Sequence, residues 1–172
     1  MVYSLSKSRK AQLIGEIFKY AIVLVLASAV IVMGYRFIGY MKDRACKSEL
    51  TKFQIDFSNI DKDMRQGEKE LRSYSVPCNV DRVYLFDVNK SINPDSFNGI
   101  PIIKDSLKSG SDKNVFLIKE GKVLGLFYAG NMEIDNPYYI CFSTVSGRIN
   151  FFVEGLGKSV KVTSEPEQKL CS

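Results

Sequence analysis

The chain has no histidine among its 172 residues. That removes the commonest general base, most zinc sites and every Ser-His or Cys-His nucleophile arrangement. It also lacks a P-loop and a G-x-G-x-x-G fingerprint. Ser-Lys or carboxylate-only chemistry is still open in principle, but no spacing points to it. The four cysteines form no C-x-x-C pair, which argues against zinc clustering. Proline is absent before Pro77, so nothing upstream of it forces a helix to stop. An excess of one charge is missing from the distal part: from Pro77 onward there are eleven basic and eleven acidic residues. A neutral distal domain gives no electrostatic footprint for nucleic acid. No enzyme, no cofactor and no nucleic-acid partner is expected.

What is present is a basic head followed by a long apolar run. The net charge of +5 is gathered at the start, where Lys7, Arg9, Lys10 and Lys19 face Glu16 alone. The hydrophobic fraction of 45% and charged fraction of 25% are globular values, and the length holds one ordinary domain plus an anchor. The uncharged run Tyr20–Tyr35 would make roughly 24 Å of helix. That is slightly short for a bilayer core of about 30 Å. Ile17-Phe18 before it and Phe37-Ile38 after it supply the difference, with Lys19 and Arg36 snorkelling to the two interfaces. Tyr20, Tyr35 and Tyr40 fit interfacial belts. A buried core helix is the alternative, but the distal domain is too small to surround one. Basic residues at 36, 42, 44 and 47 balance the basic head, so the positive-inside count leaves orientation open. One carboxylate, Glu16, sits just inside the apolar segment, where a charge is costly in lipid and usually functional.

Arg9-Lys10-Ala11-Gln12 followed by Leu13-Ile14-Gly15-Glu16 resembles the class III (prepilin-type) signal of archaeal type IV pilin-like proteins. The resemblance covers about thirty residues. It implies a cut between Ala11 and Gln12 by a prepilin-type peptidase, with Lys10, Ala11 and Gln12 as the processing residues. Glu16 then becomes the fifth mature residue, where the family carries a glutamate. Its implied role is to dock against the free N-terminal amine of a neighbouring subunit, since opposite charges in a low-dielectric site are tolerable only together. The chain departs from the pattern at two points. Ala11 replaces the bacterial glycine, and Lys19 and Arg36 put charges beside a filament core that is normally apolar. Lys19 also lies three residues beyond Glu16, close enough on one helix face to compete for it. Two other processing readings stand beside this one. Ala27-Ser28-Ala29 is a small-x-small site of the secretory kind, although Val30–Tyr35 continues the apolar run past it. The segment can also serve as an uncleaved anchor.

Beyond the span, Cys46, Leu50, Phe53, Phe57, Ile60 and Met64 make one apolar stripe at helical period. The stripe is expected to pack on the chain's own β domain, because a coiled coil needs three or more heptads. Gly67 is the expected stop. From Leu71 the period shortens. Strands are expected over 82–87, 114–118, 123–128, 138–142, 148–153 and 159–163, with 71–76 as a weaker one. Lys119-Glu120-Gly121-Lys122 reads as a hairpin, and 102–108 as a short helix stopped at Gly110. The fold class is therefore α+β, a long helix followed by a small, sandwich-like antiparallel β domain. The expected divisions are a leader at 1–11, a transmembrane or assembly helix at 12–41, an amphipathic helix at 42–66, the β domain at 68–163 and a mobile tail at 164–172.

Cys46, Cys78, Cys141 and Cys171 are an even set beyond an anchor, which suggests disulfides in an oxidising compartment. Three pairings are open, and Cys78–Cys141 with Cys46–Cys171 is the expected one. Asp87, Asn89, Ser91 and Asp95 place oxygen side chains at the spacing that opens a calcium loop. Ile92 and Asn98 stand where that loop needs glycine and glutamate, so a solvated polar loop is the expectation. Asn89-Lys90-Ser91 is a glycosylation sequon in the same loop.

The function implied by the resemblance is a non-catalytic subunit of a type IV pilus-like surface filament, or a minor or anchored component of it. Its partners would be membrane lipid, copies of itself or related subunits, and the peptidase. The alternative is a single-pass membrane-anchored binding or accessory module, with its C-terminal domain extracytoplasmic, that does not polymerise.

Overall fold

The computed structural model describes residues 9–60 and 65–171, with side chains from Phe18 onward except that of Asp43. One helix, α1, runs from Arg9 to Ser58 over 50 residues. The chain divides into two compact units, Met1–Ala45 and Cys46–Ser172. The second unit opens with the last part of α1 and continues as the β domain.

Among the described residues, eight strands and one further α-helix follow. The first sheet contains, in spatial order, β1 (Lys69–Ser75), β7 (Arg148–Gly155), β8 (Val160–Ser164) and β5 (Met132–Glu133). β7 pairs antiparallel with both β1 and β8, while β5 runs parallel to β8. The second sheet contains β4 (Lys122–Phe127), β3 (Val115–Lys119), β2 (Arg82–Phe86) and β6 (Tyr139–Ser143), all antiparallel. A short 3-10 turn, Pro94–Phe97, and α2, Pro101–Lys108, lie between β2 and β3. The architecture is α+β and antiparallel-rich, with one parallel pair that the sequence did not suggest.

Two cores explain the strand sequences. The larger one gathers Phe53, Phe57 and Ile60 at the end of the helical segment with residues from both sheets. The first sheet gives Ile149, Phe151, Val153, Val160 and Val162; the second gives Val83, Leu85, Val115, Leu117 and Phe142. β7 alternates buried and half-buried residues, as expected of a strand with one face inward. β2 and β3 instead read as continuous apolar runs. Their opposite faces, Tyr84, Phe86, Phe116 and Ile118, meet Phe97, Ile100 and Ile103 in a second core. A strand buried on both faces has no polar alternation to display.

Local chemistry sets the boundaries. Glu120 and Gly121, at φ 50° and 76°, form the two-residue turn between β3 and β4, where glycine carries the left-handed conformation at no steric cost. α2 starts on Pro101 and ends before Gly110, whose φ is 66°. α1 ends nine residues before Gly67, earlier than expected. The Ser58 hydroxyl and the Asn59 amide both donate to the Ile55 carbonyl, at 3.0 and 3.1 Å, and so compete with continuation of the helix. Met64, the last residue of the expected stripe, lies outside the described residues.

The tail is the second correction. Residues after 164 were expected to be mobile, yet they are fastened along β6. Ser143 N–H donates to Lys169 O at 2.9 Å and Cys171 N–H to Cys141 O at 3.0 Å. Gln168 is 9% exposed. Its Oε1 accepts from Asn150 N–H at 2.9 Å, and its Nε2 donates to Ser143 O at 2.8 Å. One side chain thereby links β7 of the first sheet to β6 of the second.

Candidate functional site

The candidate assembly segment is the N-terminal part of α1. Lys10, Ala11, Gln12 and Glu16 lie on its backbone, and their side chains are outside those described. From Phe18 to Lys42 every residue is exposed. The helix is long and apolar enough to cross a membrane, and none of its apolar window is buried in the protein. Val30, Ile31 and Met33 are about 70% exposed. In water such a surface is unstable, since each fully buried large aliphatic side chain is worth about 1.5–3 kcal/mol. Ala27-Ser28-Ala29 sits within this helix, where the Ser28 hydroxyl donates to Leu24 O at 2.6 Å and so keeps its polar group satisfied.

In the second unit, the apolar stripe packs as expected. Phe53, Phe57 and Ile60 are buried, and Leu50 packs against them. The cysteine pairing is a correction: the bonds are Cys46–Cys78 and Cys141–Cys171. Their Cα separations of 5.1 and 5.4 Å are ordinary for disulfides. Cys78 lies in a turn beyond Val76-Pro77, at φ 62°, beside the helix rather than on a strand. Cys141 faces the second core, where Cys171 also packs. Two disulfides fit an oxidising, extracellular setting for this domain.

The oxygen-rich loop is not assembled as a cation cage. Asp87 is buried and its Oδ1 accepts from Asn89 N–H at 3.0 Å. Asp95 is turned to Lys104 instead, at 2.9 Å, and the same ammonium donates to Asn98 Oδ1 at 2.6 Å. A fixed lysine charge beside Asp95 is the opposite of a calcium site. Among the described residues no group of three His, Cys, Asp or Glu is placed to hold a metal. Asn89 and Ser91 of the sequon are exposed in the turn after β2.

The hydrogen bond and charge of Lys104, with a smaller effect of Lys108, hold the Asp95 carboxyl below its ordinary range. A depressed carboxylate favours folding above its unfolded pKa, and this is lost as pH falls through the folded one. At this fully exposed site the effect on stability is small. Lys104→Ala is expected to raise the Asp95 pKa toward the ordinary value. A carboxyl-carbon NMR titration that stays put on this substitution would rule the pairing out.

Three groups with structural work were not picked out from the sequence. Asn114 is fully buried; its Nδ2 donates to Gly130 O at 2.7 Å and its Oδ1 accepts from Ala129 N–H at 2.8 Å. Only its position as a polar residue opening an apolar run hinted at this. Gln168 gave no local signal. The third is Arg44, whose guanidinium lies 4.6 Å from the Tyr40 ring centroid. Their spacing, four apart on a helix, was a usable signal.

Two concavities lie in the second unit. A cleft of about 370 Å³ is lined by Ile134–Pro137, Tyr139–Cys141, Val162–Ser164, Leu170 and Cys171. Its carboxylate, Asp135, is paired with Lys161 at 3.0 Å. A groove of about 440 Å³ runs between Glu49–Asp56 and Ser73–Pro77. No protein-family model, curated protein or solved structure matches the chain.

Proposed function

We propose that the chain is a pilin-like, non-catalytic structural subunit of a type IV pilus-like surface filament, or an anchored component of one. The observation that carries this reading is the division of labour along α1. Its apolar stretch is exposed among the described residues, and its later residues Phe53 and Phe57 are core residues of a β domain. A helix that needs lipid or other helices at one end and carries a folded head at the other suits head-to-tail, open-ended assembly. The prepilin-like residues Lys10, Ala11 and Gln12 stand immediately before the stretch, and Glu16 follows where a docking carboxylate belongs. The head would lie outside the cell, in keeping with its disulfides.

The test is the mass of the N-terminal peptide recovered from membranes of the native host. A terminus at Gln12 is expected. An intact Met1 or Val2 terminus would sink prepilin-type processing and leave a single-pass anchored module that does not polymerise. Glu16→Ala is expected to abolish assembly while leaving membrane insertion intact. Unchanged filaments in that variant would remove the docking role.

A further inference from the structure

With the head outside, the span ends in cations on the side where they are disfavoured. The stretch from Arg36 to Lys47 carries Arg36, Lys42, Arg44 and Lys47 against Asp43. After a cut at Ala11, the new terminal amine of Gln12 and Lys19 would be the cations before Tyr20, against Glu16. The mature chain would then be more positive at its outer end, which favours an anionic counterpart there.

Two of these cations share one face with a tyrosine. Arg36, Tyr40 and Arg44 recur every four residues along α1. All three are exposed. The Arg44 guanidinium lies over the Tyr40 ring. Side chains on a helix lean toward its N-terminus, so this contact carries the charge back about one turn, roughly 5–6 Å along the axis, toward the apolar stretch. The electron-rich ring face holds it there.

The depth is right for phosphate. Counting from Phe18, a hydrocarbon core of about 30 Å takes roughly 20 residues and ends near Phe37-Ile38. Arg36 then sits at the hydrocarbon boundary. Tyr40 and the guanidinium of Arg44 lie in the headgroup layer, which is roughly 5–8 Å deep in each leaflet. Guanidinium groups are planar donor forks that match phosphate oxygens in a way that a lone ammonium does not.

We propose that Arg36, Tyr40 and Arg44 form a binding stripe for the phosphate of anionic phospholipid in the outer leaflet. The stripe rests on the membrane-spanning reading of α1 and would hold the subunit at a fixed height. Lys42, two residues from Arg44 and about 160° away around the helix, is outside it and serves as the control.

The experiment reconstitutes the full chain into vesicles doped with spin-labelled phosphatidylglycerol or spin-labelled phosphatidylcholine. The motionally restricted fraction of each lipid is then compared. A preference for the anionic lipid of about 25-fold is expected, from roughly fivefold for each of the two arginines engaged. It should collapse in 1 M salt, where screening acts within about 3 Å. R36Q/R44Q should abolish it, and K42Q should leave it largely intact. Insertion with equal restriction of both lipids would overturn the stripe while sparing the membrane reading. Equal loss in K42Q and R36Q/R44Q would reduce it to diffuse charge and also overturn it. Failure to insert into either vesicle would overturn both readings.

Discussion

Replacing Phe57 with alanine is expected to lower the stability of the β head by about 3–5 kcal/mol. The ring is completely buried and is touched by four other aromatic rings. Its centroid lies 4.8 Å from that of Tyr74 and 5.8 Å from that of Phe151, both on the first sheet. It lies 6.2 Å from that of Phe127 on the second. Removing it therefore opens a hole where the helical segment and both sheets converge, a place with little freedom to collapse. The loss is a large share of a domain stability of about 5–15 kcal/mol. Ile55, two residues earlier and 56% exposed, is the control; Ile55→Ala should change stability by within about 0.5 kcal/mol. Urea unfolding of the full chain in detergent, followed by tyrosine fluorescence, measures both. If the two substitutions cost the same, the helical segment is not a structural part of the head. The point bears on function because a filament or an anchor holds its head through this segment, and Cys46–Cys78 fastens the same segment covalently.

The sequence made the elements legible wherever periodicity was strong. The stripe through Leu50, Phe53 and Phe57 follows from spacing alone, because one helix face must find an apolar partner and the β domain is the nearest. The Glu120-Gly121 hairpin followed from turn chemistry. What failed were contacts between residues far apart in the chain. Nothing near Cys78 reveals that its turn comes back to Cys46, because that depends on how β1 leads into the turn after it. β5 spans only Met132–Glu133, too short to give a pattern, and its partner β8 lies far along the chain. The tail reads as polar and proline-bearing, which is the composition of a loose end. Gln168 reverses that through two hydrogen-bond partners on different strands, neither of them near it in sequence. The candidate assembly residues present the converse case. Lys10, Ala11 and Glu16 were chosen by a local motif, and such a motif concerns a peptidase and a neighbouring subunit rather than any contact within this chain.

The tail gives the other large effect. Converting Cys141 and Cys171 together to serine is expected to cost about 3–4 kcal/mol, the loop-closure value for a link across about 30 residues. The loss should be local before it is global. Leu170 bridges to Phe142, and the tail is the only segment that pairs with the outer edge of β6 among the described residues. Without the bond, the tail is held by that short ladder and by Gln168. Gln168→Ala alone should cost roughly 1–3 kcal/mol, because Asn150 N–H and Ser143 O are left with a buried partner missing. The two changes remove the same clasp, so the triple variant should lose less than the sum of the separate losses. Hydrogen exchange at the Ser143 and Cys171 amides, with carboxypeptidase trimming from Ser172, reads the release directly. Full additivity, or a tail as protected as in the parent chain, would refute the clasp. Release has a second consequence. A bare β6 edge is a template for pairing with another chain, so the serine variant should also self-associate through its heads in detergent more than the parent. The clasp then separates two kinds of assembly, leaving the apolar helix as the proposed route to ordered contacts and closing the sheet edge to disordered ones.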